Sequence, residues 1–270
     1  MGIGFACAEE LVRGGARVVI CAREQQALTD AEAKLRSVRG TVVQAVRADV
    51  TSPADIERVL DAAYALGGLH GLVHCAAVPG PIGPAVDVAP EAWWEAVRID
   101  LFGTFLTARA VCQRMISTQI KGSLVLMSGG GATMPFPRYT AYAAAKVGVV
   151  RFAETLALEV AGHGIRVNCV APGFVATRMH QETLKAGERA GSEYLERTKR
   201  ELHEGGVPPS LAARAAAFLV SSRAAGVTGR LLAAPWDDWD RWPEHVEEIG
   251  NSDLFTLRRI VPRDRGKDWQ

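Results

Sequence analysis

The 270-residue chain lacks several things, and each lack excludes a class. No apolar run approaches the ~18 residues that a membrane-spanning helix needs, so no membrane partner is expected. The start has no basic segment followed by a long apolar core, so no secretory leader is expected. Ala6 stands where an N-myristoylation signal carries serine or threonine. The net charge is only +1, which gives no electrostatic reason to bind nucleic acid. The five cysteines, Cys7, Cys21, Cys75, Cys112 and Cys169, stand singly. Without a C-x-x-C pair, zinc and redox-pair chemistry are not expected, no metal is assigned, and a reducing cytoplasm is. Repeats, low-complexity tracts and domain linkers are also missing. What is plentiful is apolar: 48% of residues, enough for a sizeable core in one domain.

Those apolar residues fall into two patterns. Phe5–Arg13, Glu24–Val38, Pro53 to about Leu66 and Tyr139–Ala161 read as helices, with Ser52 capping the third. A longer helix is expected from about Pro90 to Gln119, with a break near Asp100. Arg17–Ala22, Val42–Ala48, Gly71–Cys75, Ser123–Met127 and Ile165–Val170 read as strands that are apolar throughout. This alternation predicts an α/β fold in three layers, a parallel Rossmann-type sheet with helices on both faces. Residues 1–235 are read as a dinucleotide-binding and catalytic domain, and 236–270 as an extension packed on it. Residues 176–208 are polar and helical and follow a strand end, the side on which such sheets bind ligands. A mobile substrate cover and a solvated helix pair both fit them.

Gly2-Ile3-Gly4 opens a helix, Gly14-Gly15-Ala16 closes it, and a strand follows. This is the order of a dinucleotide-binding unit: glycine turn, helix, second strand. Glycine lets a pyrophosphate approach the helix N-terminus. No first strand and no first glycine stand ahead of Gly2, so a sheet without its central first strand is expected. With about five side chains at ~1.5–3 kcal/mol each, that strand is worth on the order of 10 kcal/mol. Ala22-Arg23 ends the second strand, removing the acid that holds a ribose 2′-hydroxyl and adding a phosphate-matching cation. NADP is therefore favoured, with NAD kept open by the adjacent Glu24.

Tyr142 and Lys146 stand at i and i+4 in a helical stretch, so they share a face. A phenol near pKa ~10 is a poor acid–base catalyst at neutral pH, and a neighbouring ammonium is expected to lower it. Such a pair can exchange a proton with an alcohol or carbonyl while hydride moves to or from a nicotinamide.

Taken with Ala48-Asp49-Val50, His74-Cys75-Ala76-Ala77, Gly122 to Ser128, Ile165-Arg166-Val167-Asn168, Pro172-Gly173 and Thr228-Gly229, these motifs are specific in combination. Over residues 2 to 232 the chain resembles the short-chain dehydrogenase/reductase family in its single-domain, classical form. The resemblance implies an NAD(P)-dependent oxidoreductase interconverting a small-molecule alcohol and a carbonyl, with Tyr142 as acid/base and Lys146, Ser128 and Asp100 beside it. It implies that Gly2, Ile3, Gly4 and Arg23 hold the cofactor phosphates. Asp49 and Val50 would meet the adenine, and Cys75, Ala76 and Ala77 would pass under the cofactor. Lys146 would also bind the nicotinamide ribose, and Pro172, Gly173 and Thr177 would flank the nicotinamide. A homodimer or homotetramer is expected.

The chain departs from the family pattern in four places. His74-Cys75-Ala76-Ala77 stands for N-N-A-G, and His74 is read as a hydrogen-bonded core residue. Asp100 stands for the catalytic asparagine, keeping an acceptor for a bridging water but adding a negative charge. The serine thirteen residues before the tyrosine falls on Gly129; Ser128 is expected to serve instead. Trp236 to Trp242 replaces the usual D-G-G. These departures leave a second class open: a catalytically impaired cofactor-binding or interaction protein of the same fold.

Overall fold

The apolar stretches form two parallel sheets. In the computed structural model, which describes residues 2–269, β1 (Val18–Ala22) pairs with β2 (Val43–Arg47). The second sheet runs β3 (Gly71–His74), β4 (Gly122–Met127), β5 (Ile165–Ala171) and β6 (Leu231–Ala233), in that order. β1 and β3 each have one strand partner, so each turns an unpaired edge outward from its sheet. Every residue of both strands lines one cleft of about 2270 Å³. The sheet is therefore interrupted between β1 and β3, where a sheet without its central strand was expected.

The helical layers continue across the interruption. On one face α1 (Gly2–Arg13) packs against both α2 (Gln25–Arg39) and α9 (Pro209–Val220). On the other, α3 (Pro53–Ala65) meets α5 (Gly103–Ser117), beside α6 (Thr140–Val160). Strand β4 shows why its run Leu124–Met127 is apolar. Leu124 and Leu126 enter the core shared with α5 and α6, while Val125 and Met127 enter the core shared with α9. Alternation with both faces covered admits a polar side chain only where a partner is supplied, as for Ser123, whose hydroxyl donates to Leu219 O at 2.8 Å.

The long helix is broken where expected. α4 (Pro90–Val97) runs into a π-helical turn over Arg98–Phe102, and α5 starts at Gly103. A Cβ on Gly103 would lie 2.8 Å from Val50 Cγ2, so this glycine lets the turn close on the loop after β2. The Ser52 side chain accepts from the Asp55 amide at the start of α3. The polar stretch forms α7 (Arg178–Ala186) and α8 (Ser192–Glu204).

Beyond β6, Trp239 and Trp242 are buried against α9, whereas Trp236 is exposed. The chain passes through α10 (Val246–Gly250) and returns. The Leu231 amide donates to Phe255 O at 2.8 Å, and the Leu257 amide donates to Glu154 Oε1 at 2.7 Å. No helix among the described residues is long and apolar enough to cross a membrane.

Candidate active site

Three elements converge at the carboxyl end of β4. Helix α6 carries Tyr142 and Lys146 on its sheet-facing stripe, and both are buried. The π-turn supplies Asp100, also buried. Lys146 Nζ donates to Met127 O at 3.1 Å and lies 3.7 Å from Asp100 Oδ2 and 5.6 Å from the Tyr142 ring centre. Asp100 Oδ1 accepts from the Val78 amide at 2.8 Å. Burial pushes the Asp100 carboxyl up, and the Lys146 charge opposes that.

The Tyr142 hydroxyl makes no hydrogen bond among the described residues. Burial, and then the Asp100 charge, hold its pKa above the ordinary value. This corrects the expectation that the ammonium would lower it. The Lys146 charge is directed at Met127 O and Asp100, so desolvation decides the phenol's state.

Gly129 lies directly against the phenol: a Cβ there would come 2.2 Å from the Tyr142 hydroxyl oxygen. The Ser128 amide extends the β4–β5 ladder to Val170 O at 2.8 Å. Its Oγ is buried with no hydrogen-bond partner among the described residues.

The residues expected to touch a cofactor share one cleft. Gly2, Ile3, Gly4, Arg23, Asp49, Val50, Cys75, Ala76, Ala77, Pro172, Gly173 and Thr177 all line it, together with Ser128, Tyr142 and Lys146. Asp100 does not line it and sits beside Lys146. The first turn of α1 reaches both ends of this set. A Cβ on Gly2 would be 4.0 Å from Thr177 Cγ2, and one on Gly4 would be 3.3 Å from Cys75 Cβ. Glycine at position 4 therefore lets the helix start close on the end of β3. The Arg23 guanidinium has no ion pair or hydrogen bond among the described residues. Asp49 Oδ1 is occupied by Thr51, from its amide at 2.8 Å and its hydroxyl at 2.7 Å. Among the described residues no group of three or more His, Cys, Asp or Glu side chains could hold a metal ion.

Sequence reasoning missed an aromatic wall beside the phenol. Phe136 and Tyr139 stack at 4.3 Å, and Tyr194 of α8 meets them edge-on at 4.7 and 5.3 Å. The Tyr139 hydroxyl donates to Thr183 Oγ1 at 2.8 Å, tying the wall to α7. One signal was available: Tyr194 is the sole aromatic residue in the polar stretch 176–208.

Comparison with known proteins agrees with this geometry. A family profile described as "Enoyl-(Acyl carrier protein) reductase" matches residues 1–234. The chain is 33% identical over 234 residues to 2-(S)-hydroxypropyl-CoM dehydrogenase 3 of Xanthobacter autotrophicus, covering 86% of this chain and 90% of that protein. It is 35% identical over 236 residues to human dehydrogenase/reductase SDR family member 4, covering 86% and 81%. A solved variant of actinorhodin polyketide ketoreductase with NADPH superposes with a TM-score of 0.78 at 30% identity, covering 93% and 94%. The chain belongs to the short-chain dehydrogenase/reductase family.

Proposed function

We propose that the cleft binds a nicotinamide dinucleotide, NADP in preference to NAD, and that the chain interconverts a small-molecule alcohol and carbonyl. The observation that carries this reading is the Tyr142 hydroxyl. It makes no hydrogen bond among the described residues, it lines the cleft that also holds Lys146 and the glycine start of α1, and an aromatic wall stands beside it. The residues fit the group: Gly2 and Gly4 keep the helix start clear of side chains, and Arg23 offers an unpaired guanidinium. When bound, the dinucleotide would supply or accept the hydride. Tyr142 supplies the proton. Because its pKa is raised, the phenol stays protonated at neutral pH and is suited to donate to a carbonyl oxygen. Lys146 holds its ammonium behind the phenol, anchored on Met127 O. The substrate enters past Phe136 and Tyr194, which favour an apolar or aromatic group next to the carbonyl.

Tyr142→Phe removes the proton and keeps the shape. It is expected to lower carbonyl reduction at least 100-fold, about 2.7 kcal/mol, with an unchanged melting temperature. A variant that keeps most activity refutes the assignment.

Gly129 favours a second reading, a cofactor-binding protein without turnover, since no hydroxyl at that point holds a substrate carbonyl. Saturable NADPH binding with no reduction of any carbonyl tried would support it.

A further inference from the structure

Two of the buried side-chain atoms without a partner, His74 Nε2 and Asp100 Oδ2, belong to one small network. Thr104 Oγ1 donates to Asp100 O at 2.6 Å. A hydroxyl has one proton, so at its 3.3 Å contact with His74 Nδ1 the threonine can only accept. His74 must then carry its proton on Nδ1, and Nε2 is a bare lone pair. The ring is neutral, because burial and the Lys146 charge lower its pKa to about 4.

The strand register brings Lys146 alongside. His74 pairs with Leu126, and the next carbonyl, Met127 O, takes the Lys146 ammonium. His74 and Leu126 both project towards α5 and α6: His74 meets Thr104 of α5, and Leu126 enters the core with Val149 of α6. An ammonium has three N–H donors. Met127 O takes one, and Asp100 Oδ2 at 3.7 Å is beyond a direct hydrogen bond. One water that accepts from Lys146 and donates to both Asp100 Oδ2 and His74 Nε2 would make the usual three hydrogen bonds and satisfy every orphan here.

We propose that His74 is a positioning residue for the proton-transfer pair: its Nε2 lone pair and Asp100 Oδ2 together orient a water that fixes the Lys146 ammonium behind Tyr142. This rests on the reading of Tyr142 as the acid/base and adds a residue to it. The titratable groups facing this point are Asp100 from the π-turn, Lys146 and Tyr142 from α6, Cys169 from β5 and Cys75 beyond the end of β3. Helix α5 presents the neutral Thr104.

The test compares two amide replacements. In His74→Asn the amide occupies the Nδ1 position, keeping the Thr104 contact and losing the distal acceptor. His74→Gln places its amide oxygen at the Nε2 position and gives up Thr104. The Lys146 ammonium is followed by nitrogen-edited proton NMR at neutral pH, its signal identified by its loss in Lys146→Arg, on the protein without cofactor. Wild type is expected to show ammonium protons that exchange slowly enough to be seen, His74→Asn to lose them and His74→Gln to restore them, with melting temperatures alike. Nitrogen NMR of wild type is expected to show the Nδ1–H tautomer. A purely structural histidine would make Asn the milder change, because Asn keeps the Thr104 bond; that order, or an Nε2–H tautomer, overturns the proposal. If both variants behave as expected while Tyr142→Phe stays active, the site reading fails and the His74 network stands. If Tyr142→Phe is inactive and neither variant changes the ammonium signal, only the His74 inference fails.

Discussion

The two sheets are built from equally apolar strands, yet they are held very differently. In β4, Leu124, Val125 and Leu126 are fully buried, and β5 buries Ile165, Val167, Asn168, Cys169 and Val170. In β1 only Val18 is buried, and in β2 only Val43. The four-stranded side is also tied by distant chain. Arg166 reaches Leu219 O, Ser221 O and Ala224 O, and Asn168 bonds both Val227 O and the Arg230 amide. The two-stranded side rests on α2, α3 and one flank of α1. Under the function proposed above, the proton-transfer side chains would stand on the firm half, and Arg23, Asp49 and Val50, proposed to meet the adenine end of the cofactor, on the lighter one. Chemistry that needs fixed geometry sits where packing supplies it, and a site that reads only charge tolerates less support.

The sharpest way to break that contrast is to cut the same kind of side chain from each sheet. Leu126→Ala should cost about 2–5 kcal/mol in denaturant unfolding, the range for a fully buried leucine. Ile20→Ala in β1, where the side chain is half-buried, should cost about 1 kcal/mol or less. Equal losses would mean that β1 is as firmly packed as β4.

Acid should attack the four-stranded side first. His74 and His180 both have folded pKa values lowered to about 4 by burial. The unfolded chain takes up those protons first, near pH ~6.5. Stability is therefore fully present above about pH 6.5, is lost as pH falls towards about 4, and levels off below. For His74 the loss is on the order of 3 kcal/mol. Melting curves across this window should show the slope in wild type and a shallower one in His74→Gln; parallel slopes would exclude His74 as its source.

The smallest effect belongs to the two-stranded half. Arg23→Ala should weaken NADPH binding by ~1.5–3 kcal/mol, leave NADH nearly unchanged, and not alter the melting temperature. Losses shared by both dinucleotides would show that Arg23 supports structure.

Much of this was legible because it rests on period and punctuation. Alternation placed β4 and β5, Pro53 with Ser52 set the start of α3, and Asp100 marked the break before α5. Local pattern does not encode what lies across the fold. Whether Lys146 or desolvation governs Tyr142 depends on Met127 O and Asp100, both remote in sequence, and the expectation built from spacing alone had the wrong sign. The aromatic wall was hidden for the same reason, since Phe136 and Tyr194 meet only after α8 folds over the site. The tail was equally opaque. Trp239 and Trp242 are core while Trp236 is exposed, although all three stand at one spacing in a row.

The contact between Gly129 and Tyr142 narrows the paths by which this sequence can change. A glycine-to-alanine or glycine-to-serine replacement is a single-step event that most loops absorb. Here it would push a β-carbon into the phenol oxygen, so the tyrosine must swing away before the new side chain fits. A serine at position 129 fits only if the Tyr142 ring moves, so the two positions are coupled.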